Sequence, residues 1–118
     1  MPWILRITDR VAINQREQYE DKARQVAAAL KQILQRTGLP VRYMGSGRVA
    51  FGKDNYEYAH HVWFRNLGDF ESPQLQRTEI CRLIEEAYAE KLFMDSRWEF
   101  LEVMPTGEED DEGGGSSS

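Results

Sequence analysis

Apolar side chains recur along this chain with two distinct periods. From Trp3 to Thr8 they alternate, with Trp3, Leu5 and Ile7 on one face and Ile4, Arg6 and Thr8 on the other, which predicts a strand. The spacing then changes to fours and threes through Tyr19, Ala23, Val26, Leu30 and Ile33, the single apolar stripe of an amphipathic helix. Asn14 with Glu17 three positions later reads as a capping box that opens this helix. Gly38 stands where a left-handed C-terminal cap belongs, and Pro40 bars continuation.

Val41 to Phe51 reads as extended, with Gly45-Ser46-Gly47 marking a bulge or bend. Gly52 to Asn55 reads as a turn, and Tyr56 to Arg65 as an aromatic-rich strand. Ser72-Pro73 is a helix start, a capping hydroxyl followed by proline in the first turn. Ile80, Leu83, Ile84, Ala87 and Tyr88 mark the buried face of that second helix, and Trp98 to Met104 closes the chain as a strand.

The order is strand-helix-strand twice over. It predicts an α+β domain of two tandem βαβ units, a four-stranded mixed sheet with two helices on one face. Element order fits a tautomerase-like and a ferredoxin-like fold equally, because these differ in how the two units are placed in the sheet. The domain spans residues 1–107. Residues 108–118 run acidic and then Gly-Gly-Gly-Ser-Ser-Ser, with no apolar group to offset the entropy of ordering, so a disordered tail is expected there.

Charge narrows the function classes. Glu108 to Glu112 hold five of the 20 acids, leaving 15 acids against 15 bases in residues 1–107. A formally neutral domain lacks the net basic face that nucleic-acid binding needs. The single cysteine, Cys81, cannot form an internal disulfide, and no run approaches the roughly 18 apolar residues that span a bilayer. The N-terminus also lacks the basic segment and apolar run of a signal peptide, so the expectation is a cytoplasmic protein that binds neither nucleic acid nor membrane.

Met1-Pro2 directly precedes the first strand. With Met1 removed, Pro2 is a secondary amine on a rigid element, and an α-amino group starts near a pKa of about 7.7–8.0. Partial desolvation lowers that value, which suits general acid/base work near neutral pH. A second-position proline is also a common start with no chemistry attached. Met1-Pro2, Tyr58-Ala59 opening the third strand, Ser72 opening the second helix and the closing strand Trp98 to Thr106 together resemble the tautomerase superfamily.

That resemblance implies a trimer, no metal or organic cofactor, and a small carbonyl or enol substrate. It implies Pro2 as the catalytic base that takes a proton and returns it along the conjugated system. Arg48 resembles the arginine that holds a substrate carboxylate, with Arg42 as its neighbouring candidate and Phe100 as a further substrate-binding residue. Where family members carry a second arginine, the loop here is acidic, with Asp69 and Glu71. The alternative is a non-catalytic α+β module that binds a protein partner.

Other residues attract blander readings. His60 and His61 are adjacent on a strand and point to opposite faces, so they cannot share a metal ion. Tyr88 lies on the apolar stripe of its helix and reads as core, and Cys81 as a small packing residue. The aromatics from Tyr43 to Phe64 read as sheet packing and a subunit interface.

Overall fold

The computed structural model describes residues 1–48, 55–76 and 79–104. The elements are β1 (Trp3–Ala12), a 3-10 turn (Ile13–Gln15), α1 (Arg16–Thr37), β2 (Val41–Arg48), β3 (Asn55–Phe64), a second 3-10 turn (Leu67–Glu71), the short α2 (Pro73–Gln76), α3 (Glu79–Ala89) and β4 (Asp95–Glu102). Strand order is β2-β3-β1-β4, and every pairing is antiparallel. This corrects the expected mixed sheet. The first and last strands sit side by side in the middle and at one edge, which is the ferredoxin-like arrangement.

Helices α1 and α3 cover one face of the sheet. Alternation puts Leu5, Ile7, Asp9 and Val11 of β1 on the inner face, opposite Val62, His60, Tyr58 and their β4 partners Phe100, Trp98 and Ser96. The core falls into two clusters. Leu5, Ile33, Val41, Phe64 and Leu75 form one, near the C-terminal half of α1, and Val11, Tyr19, Tyr58, Ala87 and Leu92 form the other.

Local signals acted mostly as the sequence predicts. Gly38 ends α1 at φ 70°, its N–H donating to the Leu34 carbonyl, a conformation glycine adopts without a Cβ penalty. Ser72 Oγ accepts the Gln74 N–H at 3.2 Å, as the capping serine should. Asn14 makes no cap, because β1 runs on to Ala12 and a 3-10 turn holds Asn14 itself; α1 starts behind Gln15 with no side-chain cap. The capping box forms instead at Asn66 and Asp69.

The bulge expected in β2 is present. Tyr43 pairs with Val62 and Gly45 with His61, so Met44 is the extra residue, and Gly45 takes φ 108°. Of the turn read over Gly52 to Asn55, Asn55 opens β3, and the rest of it and the acidic tail lie outside the described residues. Among the described residues no helix is long and apolar enough to cross a membrane.

Candidate functional site

A cavity of about 230 Å³ lies between the inner sheet face and helices α1 and α3. Most of its wall is aliphatic or aromatic: Ala23, Val26 and Leu30 from α1, Ile80 and Ile84 from α3, Val62 from β3. The stripe residues of the sequence thus face a space as well as each other. Two lining residues are exposed, Tyr88 at 55% and Trp98 at 42%, so the mouth lies between α3 and the edge strand β4. Tyr88 is therefore a rim residue, edge-on to the Phe93 ring at 4.8 Å, and not core. Phe70 meets Trp98 and Phe100 edge-to-face beside this opening.

One end of the cavity is polar. Asp9 interrupts the apolar inner face of β1 and is 8% exposed. The Tyr19 hydroxyl, reaching from the first turn of α1, donates to Asp9 Oδ2 at 2.5 Å. His60 Nε2 lies 2.6 Å from the same hydroxyl, and His60 Nδ1 lies 2.6 Å from Ser46 Oγ. Ser46 Oγ in turn bonds the Tyr43 hydroxyl. The β2 bulge makes this possible. Strict alternation from Tyr43 would turn Ser46 to the outer face, and the extra residue brings it back opposite His60.

Counting hydrogens fixes the direction of every bond in this chain. Ionised Asp9 only accepts, so the single Tyr19 hydrogen goes to Oδ2. Tyr19 Oη then accepts from His60 Nε2–H. Neutral imidazole carries one hydrogen, so Nδ1 accepts from Ser46, which accepts from Tyr43. Electrostatics agree. Burial, opposed by Asp9 and helped by His61, holds His60 below the ordinary imidazole range, so the ring is neutral at neutral pH. Burial, then the Asp9 charge, pushes the Tyr19 phenol far above its ordinary range, which keeps its hydrogen in place.

Asp9 Oδ1, buried, has no hydrogen-bond partner among the described residues. A buried carboxylate oxygen left without a donor is costly, about 1–3 kcal/mol or more, and invites a functional explanation. Two other polar groups of the wall are engaged elsewhere. Lys22 Nζ donates to Glu86 at 2.9 Å, and Ser96 Oγ accepts Trp98 Nε1–H at 3.1 Å. A second phenol–carboxylate pair, Tyr58 to Glu20, stands beside the first, with the Tyr19 and Tyr58 rings 4.8 Å apart.

The residues singled out from sequence are not gathered here. Pro2 lies before β1, its carbonyl accepting the Val103 N–H at 3.0 Å. Arg42 stacks on Trp63 at 4.5 Å on the outer sheet face, and Arg48 on Tyr56 at 4.8 Å. Phe100 belongs to the aromatic group beside the mouth. None of the four lines the cavity. His60 and His61 do face opposite ways, and among the described residues no group of three or more His, Cys, Asp and Glu could hold a metal. The site residues Asp9, Tyr19 and Ser46 were missed in the sequence.

No family model and no curated protein matches the chain. Solved structures do. The chain is similar to a putative antibiotic biosynthesis monooxygenase from Nitrosomonas europaea, with TM-score 0.57 and 10% identity over 90% of this chain and 94% of that one. It is similar to an uncharacterized NIPSNAP-like domain protein from Burkholderia xenovorans, with TM-score 0.55 and 14% identity over 87% and 85%. It is also similar to SnoaB, a cofactor-independent oxygenase from Streptomyces nogalater, with TM-score 0.52 and 17% identity over 90% and 94%.

At these identities the likeness establishes a fold alone. It overturns the tautomerase resemblance, and with it the isomerase reading built on an N-terminal proline. Element order is shared by the two folds, and strand order separates them.

Proposed function

We propose that this chain is a small-molecule enzyme that works without a cofactor, in which Asp9 removes a proton from a largely apolar carbonyl, enol or phenol bound in the cavity. The observation that carries the reading is the unpartnered Asp9 Oδ1 at the wall of an otherwise apolar cavity. A carboxylate shielded from bulk water and held by one phenol is a poised proton acceptor. Neutral His60 and un-ionised Tyr19 stabilise its charge without neutralising it. The alternative of a non-catalytic interaction module leaves that buried oxygen unexplained.

The fold neighbours favour one reaction class. Two of them are described as a monooxygenase and a cofactor-independent oxygenase. An enolate or phenolate is the electron-rich form that such chemistry requires, and dioxygen is the oxidant it would meet. The direct test is upstream of any oxidation. In D2O, the wild-type protein should speed exchange of the α-hydrogens of 2-tetralone, an apolar carbon acid, followed by proton NMR. Asp9→Asn should lose about 10²-fold or more of that acceleration. Equal exchange by both proteins would overturn the reading.

Self-association is part of the same proposal. The outer sheet face, left uncovered by the helices, carries Ile4, Trp63 and Leu101 in half-buried positions around the Arg6–Glu99 ion pair. Copies of the chain packed through this face would bury it, the trimer expected from the sequence being one closed arrangement. Light scattering that returned a 13.7 kDa monomer at micromolar concentration would remove this part.

A further inference from the structure

We propose that Tyr43, Ser46, His60 and Tyr19 form a proton path that joins Asp9, inside the cavity, to solvent at the β2 edge of the sheet. Its use in turnover rests on Asp9 being the base proposed above; its existence does not.

The geometry is continuous. Asp9 on β1, Tyr19 on α1, His60 on β3 and Ser46 and Tyr43 on β2 are joined link by link by hydrogen bonds. The outer end is wet, since Ser46 is exposed, while Asp9 is buried. No other described hydrogen bond leads outward from Asp9, because Lys22 is held by Glu86 and Glu90 and Ser96 by Trp98. His60 Nε2 and Asp9 Oδ2 are 3.8 Å apart, too far for a direct bond, so Tyr19 is an obligatory link.

Transfer balances atom by atom. With Asp9 ionised, all four donors point inward and His60 carries its hydrogen on Nε2. A proton arriving from water at Tyr43 Oη releases the Tyr43 hydrogen to Ser46 Oγ. The Ser46 hydrogen passes to His60 Nδ1, the Nε2 hydrogen to Tyr19 Oη, and the Tyr19 hydrogen to Asp9 Oδ2. One proton has entered and one has arrived. Asp9 is then a neutral acid, His60 carries its hydrogen on Nδ1, and every hydroxyl points outward. The reverse hops return Asp9 to its ionised form.

Two properties of the site suit this role. The imidazole must stay neutral, since a ring protonated on both nitrogens cannot switch tautomer, and burial disfavours its charged form. The only other imidazole, His61, faces away on the outer side of the sheet. The His60 tautomer is therefore tied to the protonation state of Asp9 through Tyr19 alone.

Nitrogen-15 NMR on the full chain reads this without substrate. His61→Gln leaves His60 as the sole imidazole. In that background at neutral pH, His60 should be the Nε2–H tautomer, and Asp9→Leu should convert it to Nδ1–H, because Tyr19 then donates to Nε2. Ser46→Val, which removes the outer link and fills its space, should slow solvent exchange of the Nε2 hydrogen at least about tenfold, and Ser46→Thr should restore it. An Nδ1–H tautomer in the parent, no tautomer change in Asp9→Leu, or unaltered exchange in Ser46→Val would each overturn the path. Ser46 is exposed, so its variants decide alone if Asp9→Leu does not fold. Loss of the tetralone exchange with the path intact would instead sink the proposed function and leave this inference standing.

Discussion

The two halves of the core are built from the same elements to opposite ends. At the C-terminal half of α1, Leu5, Ile33, Val41, Phe64 and Leu75 pack with no polar atom in their side chains. At the N-terminal half, Val11, Ala87 and Leu92 share the space with Tyr19 and Tyr58, each bound to a carboxylate. Burial is comparable, but the second half sets two phenol hydroxyls against the carboxylates of Asp9 and Glu20 where the first half has only apolar side chains. Replacing buried polar groups with apolar ones of the same shape is often neutral or stabilising. The first cluster is apolar throughout, and under the proposed function the second gives up stability for chemistry.

The largest expected effect separates them. Phe64→Ala should cost about 3–5 kcal/mol in denaturant unfolding, the usual range for emptying a packed aromatic site. The His60 tautomer should not change. A tautomer shift in that variant would show that the halves are coupled and break the comparison.

Next come the phenols. Tyr19→Phe strands Asp9 without its donor and should cost about 1–3 kcal/mol. Tyr58→Phe should cost less, because Glu20 is more open to water and still bonds Arg16. A reversed order would place the functional burden on the Tyr58 pair.

Alkaline titration sharpens the same contrast. Burial first, then the bond to Glu20, pushes Tyr58 up to about 12, and Tyr19 lies higher still. Both phenols are raised in the folded state, so their stabilisation is complete below the ordinary tyrosine value of about 10 and is lost as pH rises through the folded values. Phenolate absorbance should therefore show a Tyr58 step delayed beyond the ordinary tyrosine range and lost in Tyr58→Phe, while Tyr19 ionises only as the chain unfolds.

The smallest effect is at mildly acid pH. His60 is held below its ordinary range, so the unfolded chain binds the proton more readily. Stability is full above the ordinary imidazole value of about 6.5 and falls as pH drops toward the folded value. His60→Gln should flatten that slope in the unfolding midpoint.

Much of the fold was legible because it is written in local periods. The stripe from Tyr19 to Ile33 gave α1, Gly38 its end, and alternation the opposed faces of His60 and His61. Strand order was not legible, since it is set by pairings between distant segments, and the same element order serves two folds. The site was half legible. Asp9 continues the phase of Leu5 and Ile7 ahead of Val11, so a charged residue at a core-facing position was visible once β1 was extended past Thr8. Ser46 was hidden, because its partner depends on where the register slips. Tyr88 misled, since an apolar stripe does not say whether its outer margin meets a wall or an opening.

That slip turns a single glycine into a functional marker. Gly45 takes φ 108° at the slip, so Gly45→Val would favour unbroken alternation in β2, with Met44 opposite His61, while altering neither net charge nor either core cluster. Ser46 would then face away from His60, and Asp9 would lose its outlet with the fold intact. Among chains sharing this architecture, a glycine at the position of Gly45 with a hydroxyl one residue on should mark those that can move a proton this way, whatever their overall identity.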